Sequence, residues 1–335
     1  MRNDATSRKI ATVAVCAALA TALFYVSFVR GRTAQASPVP DLLAALPPGA
    51  PTLVYLDLAA VRASSFYQHR PDKEPLAVPN QDYAQFVSST GFDFEKDLDR
   101  VVVASWPASG KEQKKNVVIA EGRFDRAKIR AYSMRKGKLD HQQGRDVFLF
   151  PTGDRTGTNS VSFLDDHRIA IVSGPSIAPL FAAHGDDPAA DPDRERAARL
   201  DGAAVFAIIH VPPMPDNFAS GGAQSEQLAS LARSVQWVTL AANPEGDNFR
   251  ISLEGECVST TDARQLRSAL ELLRMFGRAG LDSPKTRASM DPAVLAMLQT
   301  LLNNAEVTQA AEHVRILVEI TPEIWHLSGP AKPQP

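Results

Sequence analysis

Val118-Ile119-Ala120-Glu121-Gly122 runs into a helix start at Asp125, and Ile251-Ser252-Leu253-Glu254-Gly255 runs into a helix start at Thr261. Each is an apolar strand that closes on Glu-Gly before a helix. Upstream, Val101–Pro107 (VVVASWP) is mirrored by Val238–Pro244 (VTLAANP). Element order repeats as well: a strand, a helical excursion, a strand pair, a helix, then another strand pair. Self-similarity at this scale marks a duplicated supersecondary unit. The bland alternative is a coincidence between two generic strand–Gly–helix joins. The expected fold class is α+β: two similar β-α-β-β-α-β-type units with mainly antiparallel sheets, preceded by one N-terminal transmembrane helix.

Working outward, Thr52–Leu58 (TLVYLDL) reads as the opening strand, with a helix over Ala59–Gln68 and another over Asp82–Ser89. Asp125 is a helix N-cap, and Gly137 ends that helix. Leu139–His141 with Asp146–Phe150, and Ser160–Leu164 with Arg168–Val172, read as hairpins. Pro175–Ala183 is expected to be helical. Ala203–His210 is an apolar strand, and Gln224–Arg233 a helix. Gln236–Ala242 and Asn248–Glu256 pair around a turn at Asn243–Asp247. From Thr261 to about Arg278, Ala263, Leu266, Leu270, Leu273 and Gly277 form one helical face. Asp291 caps a helix over Pro292–Asn304. Val314, Ile316, Val318 and Ile320 alternate as a half-buried strand. The expected division is a cytoplasmic N-terminus over 1–9, a membrane segment over 10–29, a spacer over 30–40, a first unit over 41–184, a junction over 185–200, a second unit over 201–328, and a tail over 329–335.

Ile10–Val29 (IATVAVCAALATALFYVSFV) contains no charged residue. At ~1.5 Å per residue it spans ~30 Å, the hydrocarbon thickness of a bilayer. Arg2, Arg8 and Lys9 precede it, which votes for an N-terminus inside and a translocated domain behind. The expectation is an uncleaved signal anchor holding a periplasmic domain. The alternative is cleavage after Ala36, at Ala34-Gln35-Ala36, with release of the domain.

Composition agrees with a globular domain rather than a disordered or nucleic-acid-binding chain. Across 335 residues the hydrophobic fraction is 44%, and 36 basic residues stand against 38 acidic ones. No Lys/Arg block tracks phosphates, so no nucleic-acid partner is expected. Cys16 lies in the apolar segment and Cys257 far from it, so no bridge between them is expected. Cys257 reads as a small core residue.

LPPGAPTLVYLDLAAVRAS, GFDFEKDLDRVVVA and AEGRFDRAKIRAY together resemble singly anchored bacterial envelope proteins of unassigned role. The resemblance covers most of residues 41–325. It implies a location and a fold of repeated α/β units, and it carries over no catalytic residue.

No known catalytic constellation is complete in this sequence. His69, His141, His167, His184, His210, His313 and His326 show no ligand spacing such as H-E-x-x-H. Gly174-Pro175-Ser176-Ile177-Ala178 lacks the last glycine of a nucleophile elbow, and Pro175 removes a backbone N–H. Gly110-Lys111 lacks the remainder of a phosphate-binding loop. Asp165-Asp166-His167 reads as a hairpin turn before it reads as an acid–base group. Asp186, Asp187, Asp191 and Asp193 lack calcium-loop spacing. Glu121 and Glu254 occupy matching strand ends, and as a facing pair they would suit a glycosidase. Trp106 and Trp237 read as sheet-face anchors. No catalytic, cofactor-binding or metal-ligating residue is therefore assigned, and no cofactor is expected. The expected role is non-enzymatic binding or scaffolding in the envelope, with another envelope protein or an apolar ligand as partner besides the membrane. The alternative is an envelope hydrolase using carboxylates such as Asp165 or Glu121.

Overall fold

The structure is a computed structural model. It describes residues 42–70, 81–107, 115–152, 157–181, 196–197, 199–200, 202–212 and 233–328. The Ile10–Val29 segment, Cys16, Gly110-Lys111, the aspartates of 186–193 and nearly all of the helix expected over 224–233 lie outside them. No helix among the described residues is long and apolar enough to cross a membrane.

Among the described residues twelve strands form one sheet. They are β1 (Thr52–Asp57), β2 (Leu98–Trp106), β3 (Lys115–Gly122), β4 (Lys138–Gln142), β5 (Arg145–Pro151) and β6 (Thr158–Phe163), then β7 (Arg168–Ser173), β8 (Val205–His210), β9 (Val235–Glu245), β10 (Asn248–Cys257), β11 (Glu306–Ala310) and β12 (His313–Ile320). Their order across the sheet is β11-β12-β10-β9-β8-β1-β2-β3-β7-β6-β5-β4. Every pairing among them is antiparallel. The fold is α+β with a mainly antiparallel sheet, as expected. β1 and β8 lie side by side at the centre, with Val54 opposite Ala207.

Strand alternation gives the sheet two apolar faces, and each carries a core. On one face Leu53, Tyr55, Val102, Ile119, Phe206 and Ile208 pack with Leu42, Leu46 and Ile177 from flanking segments. On the other, Leu56, Val101, Val205 and Phe249 pack under two short helices, α1 (Leu58–Ala63) and α2 (Ser65–Gln68). Phe66 of α2 sits 5.3 Å from the Phe249 ring and 5.2 Å from Trp325. Helix α3 (Gln81–Thr90) meets α5 (Arg126–Lys136) through Phe86 and Tyr132, and α4 (Phe94–Asp97) leads into β2. The C-terminal half adds α6 (Thr260–Leu281), α7 (Pro284–Ser289) and α8 (Pro292–Asn304).

The local signals landed where side-chain chemistry is decisive. Asp125 accepts the Lys128 amide at 3.0 Å, and the helix stops at Gly137. Asp291 accepts the Ala293 amide at 2.8 Å. The β4–β5 hairpin turns on Gln143 (φ 51°) and Gly144 (φ 72°), the left-handed pair that a two-residue hairpin requires.

Four expectations need correction. The helix over Ala59–Gln68 is two helices, because Ser64 adopts an extended backbone and its side chain caps α2. Of the helix expected over Pro175–Ala183, the described residues 175–181 form no α-helix, and Ala178–Phe181 forms a 3₁₀ turn. Gln142 holds that segment against β4, accepting the Ile177 amide at 3.0 Å and donating to the Pro175 carbonyl at 2.8 Å. The turn at Asn243–Asp247 shrinks to Gly246-Asp247, since β9 continues through Pro244 to Glu245. Pro244 is tolerated there because β8 pairs with β9 only as far as Ala242, leaving that flank without a neighbour. Finally, β11 has no counterpart among the expected strands, its five residues being too short for a clear alternation.

Candidate functional site

Helix α6 is the element that stands out. It begins at Ser259, whose hydroxyl oxygen accepts the Asp262 amide at 3.2 Å. In its first half Ala263, Leu266 and Leu270 pack on Cys257, Val307 and Val314 of the sheet. That much follows the expected apolar stripe. Beyond Leu270 the stripe breaks at Leu273, expected on the packed face but 52% exposed. Leu272, Met275 and Phe276 are 51%, 54% and 63% exposed. Four large apolar side chains therefore meet solvent within five residues.

The cause is the way α6 holds α8. The Arg274 guanidinium donates to the Ala305 carbonyl at 2.6 Å. Arg278 donates to the Leu302 carbonyl at 2.8 Å and to the Asn303 carbonyl at 3.0 Å. Cations suit these unpaired carbonyls at a helix C-terminus. Gly277 allows close approach, since a Cβ there would lie 3.1 Å from Leu302 Cδ1. The basic side of α6 is thus occupied by α8, and the apolar side of its second half is left outward. Helix α8 (PAVLAMLQTLLNN) has no charged residue and no fully buried one. Contiguous exposed apolar side chains of this kind mark interaction surfaces.

A second cluster is polar and lies on the opposite sheet face from the α6 contacts. Glu254 Oε2 accepts from Arg315 Nε at 3.0 Å and Nη2 at 2.7 Å. His313 Nδ1 lies 3.2 Å from Glu254 Oε1. Arg196 pairs with Glu256 at 2.9 Å, and its guanidinium stacks 4.0 Å over Trp237, which in turn packs on His210. A cavity of about 100 Å³ opens here between Arg196, Arg199, Ser252 and Arg315. Each carboxylate of the cluster has an arginine partner, Arg315 for Glu254 and Arg196 for Glu256. A larger open groove of about 890 Å³ runs between Glu271 and Arg274 of α6 and Arg250, Glu306 and Glu319 at the sheet edge.

The residues weighed from sequence are scattered. Glu121 and Glu254 sit on β3 and β10, five strand spacings apart, or ~24 Å at 4.8 Å per spacing. They cannot act on one bond together. Glu121 instead stands opposite Arg168 and 3.1 Å from Arg100. Asp165-Asp166-His167 is a hairpin turn. Burial pulls the Asp165 carboxyl upward, but the His167 amide and Arg168 outweigh it and hold the group below the usual carboxylate range. Ser176 accepts the Ala178 amide at 3.1 Å, which opens the 3₁₀ turn. Cys257 is buried, and burial pushes its thiol up. Among the described residues no group of three His, Cys, Asp or Glu side chains could hold a metal. Trp106, which donates to the Gly49 carbonyl at 3.2 Å, and Trp237, which carries Arg196, both pack against the first core. The sequence did carry a signal for the α6 surface. Leu272, Met275 and Phe276 fall off the packed stripe of their helix and are still apolar.

No family model and no curated protein matches this sequence. Similar solved structures are three crystal forms of TP0453, each 13% identical to this chain. Form I covers 88% of this chain and 98% of its own, with a TM-score of 0.43. Form III covers 87% and 96%, with a TM-score of 0.47, and form IV 88% and 96%, with 0.45. A likeness this loose carries no function across.

Proposed function

We propose that this protein is a membrane-tethered, extracytoplasmic binding protein that works through the apolar surface of α6 rather than through a catalytic centre. The observation that carries the reading is the exposure of Leu272, Leu273, Met275 and Phe276 on a helix otherwise fastened at both ends. Full burial of such side chains is worth ~1.5–3 kcal/mol each. A folded protein that leaves four of them in water gains by covering them. The tether is the charge-free Ile10–Val29 segment, as in the singly anchored bacterial envelope proteins that the sequence resembles.

The duplicated architecture belongs to the same proposal. Glu121 stands opposite Arg168 on β3 and β7, and Glu254 stands opposite Arg315 on β10 and β12. In each half the strand carrying the glutamate leads directly to a capped helix. The halves differ where the first spends its chain on the β4–β5 hairpin and the second on α7 and α8, the helices that accompany the apolar surface. On this reading one copy kept a plain sheet and the other acquired the binding element.

The test is capture from envelope extract with the full chain and with Leu272→Glu/Phe276→Glu. The wild type should retain apolar partners, lipid or protein, that the double variant loses, with identical thermal melts. Equal recovery by both, or turnover in a hydrolase panel that survives the double substitution, overturns the reading.

A further inference from the structure

We propose that the partner in the binding reading just given, on which this inference rests, is a second copy of this chain. The two copies join edge to edge through β11, and their α6 helices pack on one another across a two-fold axis.

The edge strand is the first support. β11 ends the sheet, and among the described residues its one neighbour is β12. A two-residue turn, Ala311-Glu312, joins them, so Ala310 and His313 form the closing hydrogen-bonded pair. Paired and unpaired positions then alternate along the strand. Glu306, Thr308 and Ala310 turn their amides and carbonyls to β12, while those of Val307 and Gln309 point off the sheet. Such an edge is a template for another strand.

The apolar side of α6 lies on the same flank. Helix α6 packs on β11 and β12, whereas α8 packs on β12 and on the 3₁₀ segment Pro322–Ser328. Passing from α8 to α6 is therefore passing toward the free edge. Leu272 and Phe276 each stand two residues from Arg274, whose guanidinium holds the end of α8. At about 100° per residue that puts them on the opposite side of the helix, past the edge. Ala269, Leu272 and Phe276 follow one another at the alternating three- and four-residue spacing of a helix–helix seam. A helix seated over the boundary of β11 and β12 is about one strand spacing from a two-fold beside β11. The two α6 axes then come ~10 Å apart, which is helix packing distance.

One register suits self-pairing. A two-fold at Thr308 sets Val307 of each copy against Gln309 of the other and matches their outward groups. Glu306 then meets Ala310, so no like charges oppose, and Thr308 meets Thr308. A two-fold at Val307 would need Ala305, whose amide is bonded to Leu301 and whose carbonyl accepts from Arg274. A two-fold at Gln309 would need Ala311, which has left the strand with φ 50°. The opposite edge is unsuited: β4 begins at Lys138, and its flanking helix α5 ends in Arg135 and Lys136, so self-pairing there would gather like charges. One short strand and one helix side make a small interface. Pairing therefore grows with concentration, which confinement to a membrane supplies, and it leaves melts of the dilute chain unchanged.

The experiment places the full chain in lipid vesicles in a Cys16→Ala/Cys257→Ala background. Thr308→Cys or Ala310→Cys is added, both positions being exposed. In this register Thr308 lies ~4.5 Å from its counterpart, Cα to Cα, within disulfide reach, and Ala310 lies beyond ~10 Å from its own. Mild oxidation with diamide should form the covalent dimer at 308 at least about tenfold faster than at 310. Adding Phe276→Glu should abolish the difference. Equal rates at both positions, or no dimer at either, overturns the proposal. A 308 dimer that survives Phe276→Glu also overturns it, because the helix side is then uninvolved. The binding reading fails separately. A chain that does not cross-link at 308, yet loses an envelope partner on Leu272→Glu/Phe276→Glu, sinks the second copy and keeps the binding surface; a chain that does neither sinks both.

Discussion

Glu254 on β10 and Arg315 on β12 face one another across neighbouring strands, with Oε2 and Nη2 2.7 Å apart. Glu254 is about one-fifth exposed and Arg315 more than half, so solvent screens the attraction. A double-mutant cycle of Glu254→Gln and Arg315→Gln, followed by urea unfolding, should give a coupling of about 0.5–1 kcal/mol. A coupling several times larger would mean that the pair is a structural keystone of the second half.

The two Glu-Gly strand ends should respond differently to one methyl group. A Cβ at Gly122 would collide with the Asp97 carbonyl, and backbone cannot step aside easily. At Gly255 the nearest atoms are Leu266 Cδ2 and Val235 Cγ1, both at 3.7 Å, an ordinary contact. Gly122→Ala should destabilise by about 1–3 kcal/mol, and Gly255→Ala by much less. Thermal melts of the two variants check this.

Arg62 is 3% exposed and pairs with Asp99 at 2.6 Å while also donating to the Leu98 carbonyl. Arg62→Ala removes both contacts and, among the described residues, leaves Asp99 with the more distant Arg123, at 3.4 Å. The expected loss is about 3 kcal/mol, the cost of breaking a buried pair from one side. Denaturant midpoints of the variant and the parent measure it. By contrast Leu272→Glu should change the midpoint by no more than about 0.5 kcal/mol, because that side chain already meets water.

Acid should unfold the protein along a limb set partly by its turn and cap aspartates. Asp125 is held low by the Lys128 amide and ammonium, and Asp140 by the Gln142 side chain and the His141 amide. Asp165 is held low against its burial by the His167 amide and Arg168. A carboxyl lowered in the folded state stabilises above its unfolded value, near 4, and that contribution is lost as pH falls through the folded value. Stability measured from pH 6 to pH 2 should therefore drop below about pH 4. Asp165→Asn should lower the plateau and flatten the limb. An unchanged limb would show that the turn contributes nothing to folding.

Chain-local features were legible without coordinates because their causes lie within a few residues. Asp125 and Gly137 bound α5, Asp291 with Pro292 starts α8, and the alternation of Val314 to Ile320 makes β12; each depends on a cap, a ring or a period of two. Where a distant partner competes, the local reading failed. Gln142 pulled Pro175–Ile177 out of helical geometry, and the absence of a β8 neighbour let β9 run through Pro244.

Sequence alone determined the α+β class, most strands and caps, and the matching Glu-Gly strand ends. Only the tertiary structure decided that β1 and β8 join everything into one sheet, that Glu121 and Glu254 stand far apart, and that Leu273 faces water. The physical reason is that periodicity assigns a side to each helix without saying what will be there. For the second half of α6, the basic side was taken by the carbonyls ending α8, and its apolar side was left open.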